Sequence, residues 1–400
     1  MNELEVIYSG NDAGNTSNKV SYLNAHGNIE SFAFSTIAAP ADAKGDPFKD
    51  STDMTRLTDI DRIHVHITSK SINQSYWYVG DFARDKEGMI QPSGGDKHNS
   101  ELHTVTTLTG LALVALKQGF TEVKLSYSGG LPIEEHKRVN KAEIIDRLTG
   151  KHIVEFKDGK FIGKKVELNI TGGNVYAEGI ISSFGLKYNI VNNELTELQN
   201  GAEIGEEYAL ADLGAGTLDL ALYEKDGLNG QVSTNVNLGT NEFIDRMMAE
   251  ISELSEFDAI KKFNRDQGKE TSIFRNREEF MKDVVIPGVS RLLDGGEAKF
   301  LVNWARVRDL DVTKIVLKHM ESYYEAVLNR LEDFWFNKAP KVQSFVLVGG
   351  GVLFGYYYFR DLKQYSLPSK EVLADSAHFT SRAYLIANYI QELAAREQVG

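Results

Sequence analysis

The 400-residue chain has no cysteine. Disulfides and thiolate-held metals are therefore excluded, and a cytoplasmic setting is expected. It also lacks any run of roughly eighteen apolar residues, so no membrane-spanning helix and no membrane partner is expected. The opening MNELEVIYSG has neither the basic flank nor the apolar core of a secretory signal and reads as a first strand. Positive charge is in short supply. With 44 Lys and Arg against 57 Asp and Glu the net charge is −13, which disfavours broad, direct contact with DNA. Neither a GxxxxGK[ST] phosphate loop nor a GxGxxG turn opening a βαβ unit occurs, and low-complexity linkers and short repeats are missing too.

What is present is ordinary globular material, 42% hydrophobic and 25% charged, and longer than one core comfortably serves. The pattern predicts strand, turn and strand over "LEVIYSG", "NDAGNTSN" and "KVSYLN", with further strands at "IESFAFSTIA", "RIHVHITS" and "SYWYVGDFA". Residues 41–60 read as a loop. "LHTVTTLTGLALVALKQG" has helical spacing and a glycine stop, "EVKLSYSGG" is a strand, 133–148 is helical, and 151–200 returns to short strands. "YALADLGAGTLDLALYEKDG", residues 208–227, is a hairpin, and "GQVSTNVNLGTNEFIDRMMAEISEL" a strand and a helix. The charged stretch 255–310 is predicted mostly helical. A long amphipathic helix follows from about Val312 to Phe336, then strand, glycine turn and helix in "VQSFVLVGGGVLFGYYYF", and a terminal helix. Two facing α/β domains are expected, 1–200 and 201–375, with the terminal helix 376–400 packing back on the first.

Three glycine turns share one design. They are "GNDAGNTSNK" with Asp12, Gly14, Asn15, Thr16 and Lys19; "ADLGAGTLD" with Asp212, Gly214, Ala215, Gly216, Thr217 and Asp219; and "VLVGGGVLFG" with Gly349, Gly350 and Gly351. Glycine at such turns permits positive φ and lets backbone N–H groups approach an anion. Several together, each costing about 0.5–1 kcal/mol of conformational entropy, point to a ligand. A carboxylate at a phosphate-binding tip is explained if Mg²⁺ lies between, because that ion takes carboxylates and phosphates together, often through its waters. Asp12 and Asp212 are the residues for that ion.

At these motifs the sequence resembles the actin, sugar-kinase and heat-shock-chaperone ATPase superfamily. The two DxG hairpins resemble its phosphate 1 and phosphate 2 motifs, and "VLVGGG" its adenosine motif. More narrowly it is similar to bacterial plasmid-segregation actins of the ParM/StbA type, through "DAGNTSNK", "YWYVGDFA", "LSYSGGLPIEEHK", "VYAEG" and "DSAHFTSRAYLIANYI". The resemblance implies an actin-like fold of two ribonuclease H-like α/β domains around a nucleotide cleft. It also implies ATP or GTP with Mg²⁺, self-assembly into a filament, and a ParR-like adaptor that carries centromere-like plasmid DNA. By position, Asp12 and Asp212 would hold the metal shell. Gly14, Asn15, Thr16 and Lys19, with Gly214, Ala215, Gly216 and Thr217, would cradle phosphates, and Gly349 to Gly351 would run beneath the nucleoside. Glu178 in "VYAEG" matches the glutamate that orients attacking water, with Asp212 the second catalytic residue. One departure stands out: Ala215 replaces the usual central glycine of phosphate 2 and is expected to remove backbone freedom.

Other features read more plainly. His64 and His66 share one strand face without a third ligand, so a solvated or partly buried face is expected rather than a metal site. The tyrosines of "GYYYFRDLKQY" are expected in a core or a filament contact. A metabolite kinase of the same superfamily is the alternative function. A chaperone would carry a long substrate domain after the ATPase, and a membrane-bound scaffold a basic amphipathic end, neither of which is seen.

Overall fold

The computed structural model describes residues 4–46, 53–92, 97–178, 181–198, 204–268, 273–274 and 276–397. Gly179 of the "VYAEG" motif and the last three residues of the expected terminal helix lie outside these. The chain falls into two compact units, Met1–Glu203 with His378–Gly400, and Ile204–Ala377.

The first unit is built on a sheet of ten strands among the described residues. At its centre Ser9–Ala13 lies parallel to Glu122–Leu131, which lies parallel to Lys165–Ala177. Outward on one side the chain continues antiparallel through Ser17–Leu23 and Ile29–Ser35, and on the other through Gly150–Phe156, Ile63–Thr68, Tyr76–Val79 and Ala38–Pro40. Both faces are covered. On Ser9–Ala13, Asn11 points one way and donates to Thr107 Oγ1 at 3.2 Å on the helix Glu101–Lys117. Its neighbour Gly10 points the other way, so close to the terminal helix Phe379–Glu397 that an added Cβ would stand 2.1 Å from the Ser381 carbonyl oxygen. The Glu101–Lys117 helix starts where Ser100 accepts from the His103 amide at 3.3 Å, and it is buried from Leu102 to Ala115. The terminal helix is tied down by Ser381 against Ser21 at 2.7 Å and by Ser128, which donates to the Tyr384 carbonyl at 2.8 Å.

In the second unit Tyr208–Leu213 pairs antiparallel with Leu218–Glu224 and parallel with Phe345–Val348. Every residue of Tyr208–Leu213 and of Phe345–Val348 is buried, the signature of strands covered on both faces. The helix Thr313–Asn337 supplies much of the cover, burying Val316, Met320, Tyr323, Val327, Leu331 and Phe334 at spacings of three and four. Tyr323 meets Phe243, Phe354 and Phe359 edge-on, with ring centroids 5.3–6.2 Å apart.

Three local expectations are corrected. The strand into the first turn runs on to Ala13, so Asp12 belongs to the strand and only Gly14 to Thr16 turn. Within 151–200 the main feature is one strand of 13 residues, Lys165–Ala177, followed by a short helix Ser182–Lys187. The helical reading of 255–310 fails at its end, where Leu301–Trp304 and Val307–Asp311 form a hairpin whose short strands show no clean period of two in the sequence.

Candidate functional site

The two acid-bearing hairpins correspond at a constant offset of 200 positions, Asp12 with Asp212, Gly14 with Gly214, Ser17 with Thr217 and Lys19 with Asp219. In both, the first acid stands directly across the ladder from the last residue, Asp12 opposite Lys19 and Asp212 opposite Asp219. In both, the glycine sits over the carbonyl three residues on: an added Cβ would lie 2.8 Å from Ser17 O in one and 2.9 Å from Thr217 O in the other.

The turns are also anchored alike, by their carbonyls. Thr36 donates from its amide to Thr16 O at 3.0 Å and from its hydroxyl to Gly14 O at 2.6 Å. In the second unit Thr240 and Asn241, at the start of helix Asn241–Ser252, donate their amides to Gly214 O at 3.3 Å and Ala215 O at 2.9 Å. With the carbonyls engaged from behind, the N–H edge is what each turn can offer an anion. Thr217 adds a hydroxyl, which donates to Asp219 at 3.1 Å.

Charge separates the two. Lys19 lies 3.4 Å from Asp12 and compensates it, whereas the second hairpin places two buried carboxylates, Asp212 and Asp219, on opposing strands. Gly349 follows immediately on Val348, the register partner of Asp212. Its φ is 91°, and a Cβ there would stand 2.3 Å from Asp212 Oδ1. Gly351 is just as confined, 2.2 Å from Tyr323 Oη by the same construction. Tyr323 is fully buried, its hydroxyl makes no hydrogen bond, and burial, with the Asp212 charge adding, raises its pKa.

Glu178 follows the strand Lys165–Ala177, its amide donating to Leu131 O at 2.7 Å, so it stands at the carboxyl edge of the same parallel strands as Asp12. That edge is where open α/β sheets bind ligands. Its carboxylate accepts from Lys97 Nζ at 2.6 Å, and the two side chains are 14% and 9% exposed. Burial pushes the Glu178 carboxyl above its ordinary range; Lys97 opposes this, Asp12 adds to it and Lys19 opposes. For Lys97 burial pulls downward, but the Glu178 and Asp12 charges outweigh it and hold the ammonium well above its usual value. Nearby His103 is held neutral, its pKa lowered to about 4 by burial and by the Lys97 and Arg147 charges. Lys97, His103, Arg147, Tyr127 and Ala13 line a cavity of about 30 Å³, room for a water molecule.

Each predicted residue thus lies at a strand end, in a turn or, for Gly350 and Gly351, at the start of the helix Gly350–Phe354: Asp12, Gly14, Asn15, Thr16, Lys19 and Glu178 in the first unit, and Asp212, Gly214, Ala215, Gly216, Thr217, Gly349, Gly350 and Gly351 in the second. The reason offered for the glycines needs revision. Positive φ occurs at Gly349 alone among the named residues, and Gly14 and Gly214 are required by closeness to a carbonyl. Ala215 has no positive φ, so its methyl strains nothing. Lys97 and Tyr323 were missed. A lysine in a polar loop and a tyrosine on a helical stripe carry no motif. His64 and His66 pack on Tyr78 and Tyr76 at 4.8 and 4.4 Å. Among the described residues no group of three or more His, Cys, Asp or Glu side chains is placed to hold a metal.

Residues 10–180 match the family of actin-like protein N-terminal domains. The whole chain is similar to Bacillus thuringiensis ParM solved with ATP, at 37% identity and a TM-score of 0.81, covering 97% of this chain and 100% of that one. The chain belongs to the ParM family of actin-like proteins. The apo form of the same Bacillus ParM matches at 38% identity with a TM-score of 0.73 over 98% of each chain. The actin-like protein Alp7A, at 16% identity and a TM-score of 0.71 over 98% of this chain and 97% of that one, shares the fold. A search of curated proteins finds no match. The ParM-type chain accordingly has the actin-like α/β fold that its motifs implied.

Proposed function

We propose that this ParM-type protein is an ATPase that assembles into nucleotide-dependent filaments and segregates plasmid DNA through a DNA-binding adaptor. The observation that carries the reading is the 37% identity, over 97% of the chain, to a ParM solved with ATP; that ParM has also been solved with AMPPNP and with ADP. Asp12 and Asp212 would hold Mg²⁺, the buried carboxylates of two otherwise matching turns. The bound ion would neutralise the charge that develops on the transferred phosphoryl group. The N–H edges of Asn15 and Thr16 and of Ala215 to Thr217, with Lys19, bind phosphate oxygens, while the Gly14 and Gly214 amides are engaged by Asp12 O and Thr217 O at 2.9 Å. The turn Gly349 to Gly351, which tolerates no side chain at two of its positions, admits the nucleoside to the backbone. Glu178 accepts a hydrogen bond from the attacking water and orients it. A surface of net charge −13 suits a filament that reaches DNA through an adaptor.

Sedimentation and electron microscopy of the purified full chain, with Mg-ATP, Mg-GTP and no nucleotide, test this. Polymer that forms with Mg-nucleotide and disassembles after hydrolysis is the expected result. Failure to pellet in every nucleotide, with phosphorylation of a small metabolite instead, would transfer the protein to the kinases. Asp212→Ala is expected to abolish Mg-nucleotide binding measured by calorimetry. Glu178→Ala should still assemble but release phosphate about 10²-fold more slowly, leaving long-lived polymer.

A further inference from the structure

Lys97 belongs to no motif of the chain, yet among the described residues it is the one lysine or arginine that is buried, 9% exposed. It precedes the helix Glu101–Lys117 and reaches across to Glu178, closing a contact of 2.6 Å between residues 81 apart in sequence. The cost of burying an ammonium and a carboxylate is several kcal/mol for each ion and is recovered only when the pair is well matched. A chain under no demand for charge here would place apolar groups of the same volume. We propose that Lys97 is a positioning residue for hydrolysis: through this contact it fixes the Glu178 side chain, with one oxygen engaged by the ammonium and the other left to the water.

The surroundings assign this task to Lys97. The charges that face Glu178 are Lys97, Asp12 and Lys19. Asp12 opposes ionisation, and Lys19 is already within 3.4 Å of Asp12. Those that face Lys97 are Glu178, Asp12 and Glu135, all acids, so the ammonium is held from several directions while hydrogen-bonding to Glu178. His103 beside it is neutral and makes no side-chain hydrogen bond. A buried carboxylate stripped of its cation would take up a proton, and a carboxylic acid does not accept from water as a carboxylate does. Lysine chemistry also suits a static role. Its compact charge engages one oxygen, where a guanidinium fork would engage both.

The inference rests on the reading of Glu178 as the residue that orients water, and a double-mutant cycle separates the two. Steady-state phosphate release from Mg-ATP is measured for the full chain and for Lys97→Met, Lys97→Arg, Glu178→Gln and the double variant Lys97→Met/Glu178→Gln. Lys97→Met is expected to lower kcat about 10²-fold with KM for ATP within about threefold. Lys97→Arg should recover part of the loss. The double variant should be no slower than Glu178→Gln alone, because a residue acting through Glu178 has nothing left to position. Should Lys97→Met fail to fold by circular dichroism, Lys97→Gln completes the same cycle, since two glutamine amides facing each other can still hydrogen-bond. A raised KM with kcat unchanged would make Lys97 a phosphate ligand and overturn the proposal, as would losses that multiply in the double variant. If Glu178→Gln itself hydrolyses normally, the reading of Glu178 falls and the inference with it; if only the Lys97 variants are normal, the inference falls alone.

Discussion

Gly349 and Gly216 occupy neighbouring turns and are glycine for different reasons. Gly349 has φ 91° and a carboxylate oxygen 2.3 Å from where its Cβ would stand, while Gly216 has open space and ordinary φ. Gly349→Ala should therefore cost about 1–3 kcal/mol, and Gly216→Ala should leave stability unchanged or raise it by about 0.4–1 kcal/mol; urea unfolding of the two variants checks the contrast. A change of nucleotide affinity in Gly216→Ala without a change of stability would mark a ligand-facing position. Tyr323→Phe removes a buried hydroxyl that has no hydrogen-bond partner, so it should raise the thermal midpoint of the nucleotide-free protein. His103 gives a pH signature. Its folded-state pKa is depressed to about 4 from 6.5, so as pH falls the unfolded chain binds the proton first. The stability tied to neutral His103 is full above about 6.5 and is lost between there and about 4, a span on the order of 3 kcal/mol. His103→Gln should flatten the fall of the thermal midpoint between pH 7 and 5. Residues of this kind were half legible. Acids and glycines stand out in a string of letters because they oppose strand propensity, whereas Lys97 and Tyr323 acquire meaning only from what the fold brings against them.

At the scale of elements, the terminal helix is docked through a single missing side chain. Gly10 lies against the backbone of Ser381 and Leu385, so even a methyl must displace the helix. Gly10→Ala is expected to loosen Phe379–Glu397 and expose it to limited proteolysis ahead of the rest of the chain, with Gly230→Ala as the comparison because nothing stands within 4 Å of an added Cβ there and its φ is not positive. Faster hydrogen exchange confined to the terminal helix and Ser9–Ala13 would give the same answer. The helix periods were legible where one face is apolar, as in Thr313–Asn337, whose bounds differ from the expectation by one residue. The hairpin Leu301–Asp311 was not, because short strands on a charged surface show neither period clearly.

The whole molecule carries 13 net negative charges, which oppose assembly of like subunits. Salt shortens the reach of that repulsion from about 30 Å at 0.01 M to about 8 Å at 0.15 M. The critical concentration for Mg-ATP polymer, read by pelleting, is therefore expected to fall as monovalent salt rises through this range; a rise would locate the subunit contacts in exposed ion pairs. Nucleotide at a thousandfold excess over its Kd would add about 4 kcal/mol to the folded state, visible as a higher thermal midpoint with Mg-ATP. The architecture at this scale followed from three motifs in order along the chain.

The two ribbons end on opposite charges, lysine at 19 and aspartate at 219, and that difference gives them different tasks. Across its rung Asp12 meets Lys19, an ammonium on a flexible stem that can swing toward an arriving phosphate, while Asp212 meets a second acid. Lys19→Asp would remove the positive side chain of the first ribbon and is expected to weaken Mg-nucleotide binding, read by calorimetry.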